Sequence, residues 1–271
     1  MSHWPDLIAE FLKTHKPPLH SNTLNVYRSV LRQFFVWVGS SGHEPNSKGV
    51  ALYLETHPHW KASTRRLHSI VLVQFFRWTP SQLSWANDIP TVPHLQVTSH
   101  LPDPAVIQGI FSLIPPEQER DALLFRLIYA AGLRIGEALA LRGHHLTQQQ
   151  DEYVLRLDGR QRIVILTDEE VVRRLRARLA QLDTRDQFLF QARKNGRISP
   201  LRQQSMHERW ITYTRKAGTV CSLEQLRHFY PQEQAGLYPP DRLCQILGYT
   251  RVHSVQRYYS SSLNQTAKVI E

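Results

Sequence analysis

The chain has 271 residues, enough for one large domain or two of ordinary size. Its composition, 41% hydrophobic and 21% charged residues, is typical of a folded protein and excludes an intrinsically disordered chain. The net charge of +10 favours a polyanionic partner, because each neutralised phosphate releases counterions. Nucleic acid is therefore a better candidate than an acidic membrane surface.

The two cysteines, Cys221 and Cys244, match no zinc-binding spacing and no disulfide framework, which favours a reducing compartment. The first residues lack the basic and apolar regions of a secretory signal, and no apolar run reaches membrane-spanning length. We therefore expect a cytoplasmic protein that does not associate with a membrane.

Four amphipathic helices are predicted in the first part of the chain, since apolar residues recur there at helical spacing. The first helix ends before Pro17, Ser21 caps the second, and Ser63 caps the fourth. A shorter third helix is predicted at Lys48–Leu54. These helices predict a small DNA-binding bundle over residues 1–88.

Three basic residues at the start of the fourth helix, Lys61, Arg65 and Arg66, are predicted contacts with the DNA backbone. Solvated surface charge explains them equally well. The sequence does not decide between these two interpretations.

A linker is predicted over residues 89–104, because this stretch is rich in proline and has no helical period. The second domain covers residues 105–271 and is mainly helical. The period changes to that of strands around Tyr153–Leu157 and Arg162–Leu166, with a tight turn between them. The fold class is therefore mainly α with a small antiparallel β-sheet. Helices are predicted at Ala105–Leu113, Glu117–Ala131, Ile135–Leu141, from a Thr167 capping box onward, Leu201–Lys216, Leu223–Tyr230, Asp241–Leu247 and Val252–Tyr259.

Arg134 lies at a glycine break within an apolar helical stretch. A guanidinium group in such surroundings needs a carboxylate or a phosphate as partner. Glu137, three residues later, can be an internal partner, and it can also orient Arg134 toward a phosphate. Both alternatives remain open at this point.

Arg227 and Tyr258 complete a candidate set for phosphate chemistry. Arg227 lies beside the apolar stripe of a short helix and can emerge at a cleft, although taken alone it would more often be a surface residue. Tyr258 taken alone is more often a packing residue. Two arginines nearby would stabilise its phenolate and also a pentavalent phosphorane, which makes the phenol a competent nucleophile.

In these fragments the chain resembles the tyrosine recombinase family, also called phage integrases. The helical N-terminal part resembles the family's core-binding domain, and residues 162–166 resemble the strand after its catalytic hairpin. The three family boxes and the nucleophile position correspond here to Gly132-Leu133-Arg134 with Glu137, Leu226-Arg227-His228, Ile246-Leu247-Gly248-Tyr249, and Tyr258.

The resemblance implies a site-specific recombinase that cuts and rejoins duplex DNA, with the two domains forming a C-shaped clamp on the duplex. Tyr258 would attack the scissile phosphate and leave a 3′-phosphotyrosine and a free 5′-hydroxyl, with Arg134 and Arg227 stabilising the transition state. His228 is an expected DNA contact. The resemblance also implies a homo-tetramer on DNA or a partner recombinase, service to a mobile element, and a reaction without metal or nucleotide cofactor.

Three positions depart from the family pattern. The hairpin has no lysine to protonate the leaving 5′-oxygen, and Arg160, the nearest equivalent, can supply charge but is a poor proton donor. Glu224 replaces the histidine or lysine of the second box and repels phosphate unless it is protonated or paired with Arg227. Tyr249 replaces the histidine or tryptophan of the third box and keeps a hydroxyl that can donate to a phosphate oxygen.

Two other functions remain open from the sequence. A catalytically weak or inactive relative that binds and bends DNA is favoured by Glu224 and by the hairpin without lysine. An RNA-binding protein has only the net charge in its favour, and preference for single-stranded RNA would identify it.

Overall fold

The computed structural model describes residues 4–79, 84–89, 92, 101–158, 162–194 and 197–259. The chain divides into two compact units, residues 1–98 and residues 99–271. Helices dominate both, and the two β-sheets of the described residues are small and antiparallel, so the predicted fold class is confirmed. Every described helix is too short or too polar to cross a membrane.

The N-terminal unit contains the four predicted helices, α1 Trp4–Thr14, α2 Ser21–Ser41, α3 Ser47–Glu55 and α4 Ala62–Trp78. Its core contains two pairs of adjacent phenylalanines, Phe34-Phe35 on α2 and Phe75-Phe76 on α4, whose rings meet edge to face. Such aromatic pairs add stability beyond the apolar area that they bury. Packing between helices therefore holds this unit together.

Two of the predicted helix caps are corrected by the structure. Ser21 is the first residue of α2, which follows His20, and α4 begins at Ala62 after Lys61, one residue ahead of Ser63. Neither serine is needed as a cap, because most helical stability in a packed bundle comes from the apolar face.

The folded N-terminal unit extends into the predicted linker. A short 3-10 turn at Ser84–Asp88 carries Ala86 into the core, and Ile89 is only 3% exposed. Burial of these apolar side chains opposes an extended, solvated conformation there. Most of residues 90–100 lies outside the described part of the chain.

The described residues of the C-terminal unit contain a helical segment at residues 256–259, which includes Tyr258, and eight longer α-helices. They are α5 Pro104–Ser112, α6 Glu119–Ala131, α7 Ile135–Ala140, α8 Glu169–Ala180, α9 Gln203–Lys216, α10 Leu223–Arg227, α11 Phe229–Ala235 and α12 Pro240–Ile246. α6 is buried on almost all sides and packs against α8, α10 and α11, which makes it the centre of the core. Asp168 caps α8 by accepting from the backbone N–H of Val171, a correction to the predicted Thr167 cap.

The strands are β1 Leu146–Gln149, β2 Glu152–Leu157, β3 Arg162–Leu166, β4 Gln191–Lys194 and β5 Arg197–Pro200. β1, β2 and β3 form one antiparallel sheet in that order, and β4 pairs with β5. The predicted pairing of the two central strands is present, with Leu157 opposite Arg162. β1, β4 and β5 were not predicted, because four-residue strands show too little alternation to be recognised.

The helix predicted at Leu223–Tyr230 is in fact two helices, α10 and α11, that meet at His228. Pro231 explains the break, since it has no N–H to donate to the carbonyl of Arg227 and its ring crowds that carbonyl. Within α11 the proline lies in the first turn, where helices accept it. Arg227 and His228 consequently lie at the junction of two helices.

Candidate functional site

Arg134 is positioned by the end of α6 and the start of α7. Gly132 ends α6 with φ +59°, a left-handed conformation, and a Cβ there would lie 2.9 Å from Cδ1 of the Tyr230 ring. Only glycine satisfies both conditions. Glu137 then accepts from the backbone N–H of Arg134 at 2.8 Å and from its Nη1 at 2.9 Å. The predicted internal pair is therefore present, and it fixes the direction of the guanidinium group.

Arg162, which was predicted only as a strand residue, lies buried between the first and third boxes. Its Nη2 donates to the carbonyl of Ala131 at 2.8 Å and its Nε to the carbonyl of Ile246 at 2.9 Å. Burial lowers its pKa, and the nearby Glu137 carboxylate opposes this effect. Arg162 joins the two segments that carry Arg134 and Tyr249. Its inward position was visible in the sequence, because β3 alternates and Val164 and Leu166 share its face.

Arg227 connects the second box to the third. Its side chain is buried, and its Nη2 donates to the hydroxyl of Tyr249 at 3.0 Å. Its Nε lies 2.9 Å from Oε2 of Glu224, but the N–H is not directed at the carboxylate, so the contact is an ion pair and not an aligned hydrogen bond. Burial opposes the charge on Arg227, yet Tyr249 and Glu224 outweigh it and raise its pKa.

Glu224 is ionised, and its carboxylate is paired with two neighbouring side chains. Its Oε1 lies 3.3 Å from Nε2 of His228, and its Oε2 faces Arg227. The contact with His228, followed by the charge of Arg227, lowers its pKa to about 2. Glu224 has to be either protonated or paired with Arg227 if it is to face a phosphate. The structure contains the pair.

Tyr258 lies in the interior, with only 4% of its surface exposed. Its hydroxyl accepts from Nη2 of Arg257 at 2.9 Å and lies 2.7 Å from Nδ1 of His228. The nearby Tyr249 also acts on it electrostatically. Burial, reinforced by Tyr249, raises the pKa of Tyr258, whereas Arg227 overcomes burial and lowers the pKa of Tyr249.

His228 is buried beside Tyr258 and Glu224, with 7% of its surface exposed. The sequence did not predict this interior position, and contact of His228 with DNA stays a prediction. The helix junction explains the position, since it points His228 toward Tyr258 while Arg227 points toward Tyr249. His228 therefore touches the nucleophile candidate.

One pocket of about 490 Å³ brings the two family arginines together. Arg134 and Arg227 both line it, although 93 positions of chain separate them. The described residues that line it do not include Tyr258, whose hydroxyl instead contacts His228, the residue next to Arg227. The pocket is also lined by Ile135, Gly136, Glu137, Gln203, His207, Leu223 and Glu224. His207 on α9 was not singled out from the sequence, where no local pattern distinguishes it.

The three predicted DNA contacts of the N-terminal unit differ in whether their side chains are hydrogen-bonded within the protein. Lys61 is exposed. Arg65 donates from Nη2 to the carbonyl of Pro58 at 2.9 Å, and Arg66 from Nη1 to the carbonyl of Val92 at 3.1 Å. Each guanidinium group therefore has part of its hydrogen-bonding capacity engaged within the protein. Arg160 lies outside the described residues.

His144, His145 and Asp158 are the described residues grouped closely enough to suggest a metal ion. Nδ1 of His145 accepts from the backbone N–H of Arg142 at 2.9 Å, so the ring proton is on Nε2, which donates to Asp158 at 2.8 Å. Both ring nitrogens of His145 are thus engaged. The group is explained by hydrogen bonding and does not indicate a metal site.

Comparisons with known proteins show similarity in sequence and in fold. The chain is 22% identical over 257 residues to tyrosine recombinase XerA of Thermococcus onnurineus, a match that covers 92% of this chain and 88% of XerA. Its fold is similar to that of a lambda integrase tetramer bound to a Holliday junction, with a TM-score of 0.73, 12% identity, and coverage of 94% and 76%. It is also similar to the Tn1549 transposon integrase in complex with circular intermediate DNA, with a TM-score of 0.70, 17% identity, and coverage of 93% and 94%. The model of the phage integrase family matches residues 104–265, and the chain therefore belongs to the phage integrase family, the tyrosine recombinases.

Proposed function

We propose that this chain cuts and rejoins duplex DNA with Tyr258 as the nucleophile and with Arg134 and Arg227 as the groups that hold the scissile phosphate. Membership of the family makes the chain a site-specific DNA recombinase. The observation that supports these residue roles is the shared pocket, which both arginines line, together with the contact of the Tyr258 hydroxyl with His228, the residue next to Arg227.

The charges around this pocket suit a phosphodiester. Arg134, Arg162, Arg227 and Arg257 contribute four positive charges, and Glu137 and Glu224 contribute two negative ones, which leaves a formal excess of two positive charges. Guanidinium groups aimed at a phosphate stabilise the extra charge of the transition state by about 3–4 kcal/mol for each well-placed donor. The two glutamates keep the arginines directed at the pocket before DNA binds.

The reaction begins when the Tyr258 oxygen attacks the phosphorus atom. The bond to the 5′-oxygen breaks, and the products are a 3′-phosphotyrosine and a 5′-hydroxyl. Attack by the 5′-hydroxyl of a partner strand reverses the step and joins the two DNA molecules. Because Tyr258 is buried, DNA binding has to involve a movement that exposes its hydroxyl to the phosphate while His228 stays within reach of it. The free energy of DNA binding drives this movement.

For assembly, we propose a homo-tetramer on two duplexes, with a second recombinase as the alternative partner. The support is the lambda integrase, which was captured as a tetramer on a Holliday junction. Similarity to the Tn1549 transposon integrase supports a role in a mobile element. Lys61, Arg65 and Arg66 remain proposed contacts with the DNA backbone, and Arg160 a proposed source of charge near the leaving group.

The test is the capture of a covalent protein–DNA adduct. Duplexes that bind the full chain are first enriched from a random-sequence library. They are then nicked beside each candidate position, so that cleavage releases a short fragment and traps the adduct. We expect an adduct with the wild type and with Tyr259→Phe, and none with Tyr258→Phe. Tyr259 is a matched control because it is the adjacent tyrosine, and its hydroxyl instead donates to the carbonyl of Tyr238 at 2.6 Å.

A recombinase-fold protein that only binds and bends DNA is the second candidate, and the burial of Tyr258 favours it. It predicts tight, salt-sensitive binding to the enriched duplexes and no adduct from any nicked version of them. That combination would establish the architectural function and reject cleavage.

A further inference from the structure

Glu224, His228 and Tyr258 form a continuous chain of contacts. Oε1 of Glu224 lies 3.3 Å from Nε2 of His228, and Nδ1 of the same ring lies 2.7 Å from the Tyr258 hydroxyl. The three residues come from one helix, from the junction after it, and from a segment 30 positions later. Other enzymes activate a hydroxyl nucleophile with the same order of groups, in which a carboxylate contacts an imidazole and the imidazole contacts the hydroxyl.

The direction of each hydrogen bond follows from the chemistry of the groups. The ionised Glu224 carboxylate faces Nε2 of His228 at 3.3 Å, an ion-pair contact that favours the ring proton on Nε2 and leaves Nδ1 bare. The bare Nδ1 accepts the proton of the Tyr258 hydroxyl. The phenolic oxygen in turn accepts from Nη2 of Arg257 at 2.9 Å. Tyr258 thus directs its proton at a base while a cationic group faces its oxygen.

We propose that His228 is the general base that removes the phenolic proton of Tyr258, and that Glu224 orients the ring and stabilises the imidazolium. This proposal rests on the proposed function, in which Tyr258 is the nucleophile. In the cleavage step the Tyr258 O–H bond breaks, the proton moves to Nδ1 of His228, and the phenolic oxygen forms the bond to phosphorus. The 5′-oxygen leaves with the electrons of its former bond to phosphorus and takes a proton from water. On rejoining, the imidazolium returns its proton to the departing phenol.

The surroundings of both groups are consistent with this role. A raised pKa of Tyr258 means that the phenol does not ionise by itself near neutral pH, so a base is needed. Burial, with help from Arg257 and Arg227, lowers the pKa of His228, although contact with Glu224 opposes them. The ring is therefore neutral and able to accept near pH 7. The titratable and charged groups that face it are Glu224, Arg227, Tyr249, Arg257 and Tyr258.

The test measures the single-turnover rate of adduct formation on a nicked duplex, for the full chain between about pH 4.5 and pH 9. DNA affinity is measured separately by fluorescence anisotropy. We expect His228→Gln to slow adduct formation by about 10²–10⁴-fold, with DNA affinity nearly unchanged. The wild-type rate should rise with pH and level off once His228 is neutral. The variant rate should keep rising with unit slope, because its phenol must lose the proton to solvent.

Three further variants separate general base catalysis from a structural role. Glu224→Gln removes the negative partner, which lowers the pKa of His228 and shifts the acidic limb of the profile to lower pH. His228→Ala should regain rate when imidazole is added, since free imidazole can replace the missing base. His144→Gln is the matched control, because this exposed histidine also faces a carboxylate, with Nδ1 3.1 Å from Asp186, and should behave as wild type.

These measurements support or reject the role of His228 even if one of the variants is unstable. An unchanged or faster rate of adduct formation in His228→Gln would mean that His228 only holds Tyr258 in its buried position and does not act as a base. A slower rate with the wild-type pH profile and no rescue by imidazole would mean that His228 is structural. Absence of an adduct with the wild type would instead reject the proposed function itself.

Discussion

Replacement of Arg162 by methionine should destabilise the C-terminal unit by about 2–4 kcal/mol. The variant keeps the length of the side chain but strands the carbonyls of Ala131 and Ile246, which Arg162 now satisfies at 2.8 and 2.9 Å. Each stranded buried acceptor costs about 1–3 kcal/mol, or about 2–6 kcal/mol for both. Relief of the desolvation of a buried guanidinium offsets part of that cost. Glu137 adds little, because it remains paired with Arg134.

Hydrogen exchange under native conditions is the suitable assay, because a chain of two units has no single free energy of unfolding. Amides of α6 report the stability of the C-terminal unit, since this helix is its centre. Arg156→Met is the matched control, an exposed arginine on the neighbouring strand, and should change the free energy by less than about 0.5 kcal/mol. A change in Arg162→Met as small as that of the control would refute this account of Arg162.

Other perturbations test separate parts of the site. Arg134→Lys and Arg227→Lys keep the charge but lose the planar fork, so adduct formation should fall by about 10²–10³-fold while DNA affinity changes little; an equal loss of affinity would contradict a role in the transition state. Gly132→Ala should lower the melting temperature of the C-terminal unit more than Gly218→Ala, because both glycines have positive φ but only at Gly132 would a Cβ meet Tyr230, at 2.9 Å; equal melting temperatures would contradict the crowding. Lys61→Ala should weaken DNA binding and reduce its salt dependence by about one counterion, as titrations at several salt concentrations would measure; an unchanged slope would make Lys61 a solvated surface residue.

Helices and strands were predictable wherever apolar residues recur at regular spacing over several turns or strand positions. The four N-terminal helices and the pairing of β2 with β3 follow from apolar spacing, and the structure contains them. The burial of Ile89, the first residue of the predicted linker, was not predictable, because Ile89 and Ala86 are too few to show a period but are buried by tertiary packing. The break at His228 was predictable from Pro231, which acts on the carbonyl four residues earlier.

The site was predictable as a set of residues but not as a geometry. Spacing singled out Arg134, Arg227 and Tyr258, and the structure places the two arginines at one pocket. The burial of Tyr258 and its contact with His228 depend on how segments 30 positions apart pack, and no local pattern encodes that. The pairing of Glu224 was one of two alternatives until its distances to both neighbours were known.

The identity of the tyrosine that becomes bonded to DNA tests the central claim most directly. Protease digestion of the trapped adduct, followed by nuclease treatment and tandem mass spectrometry, locates the phosphate on the chain. We predict phosphotyrosine at Tyr258. Phosphate on Tyr249, whose pKa is lowered, or on the adjacent Tyr259 would contradict the assignment of the nucleophile and with it the proposed role of His228.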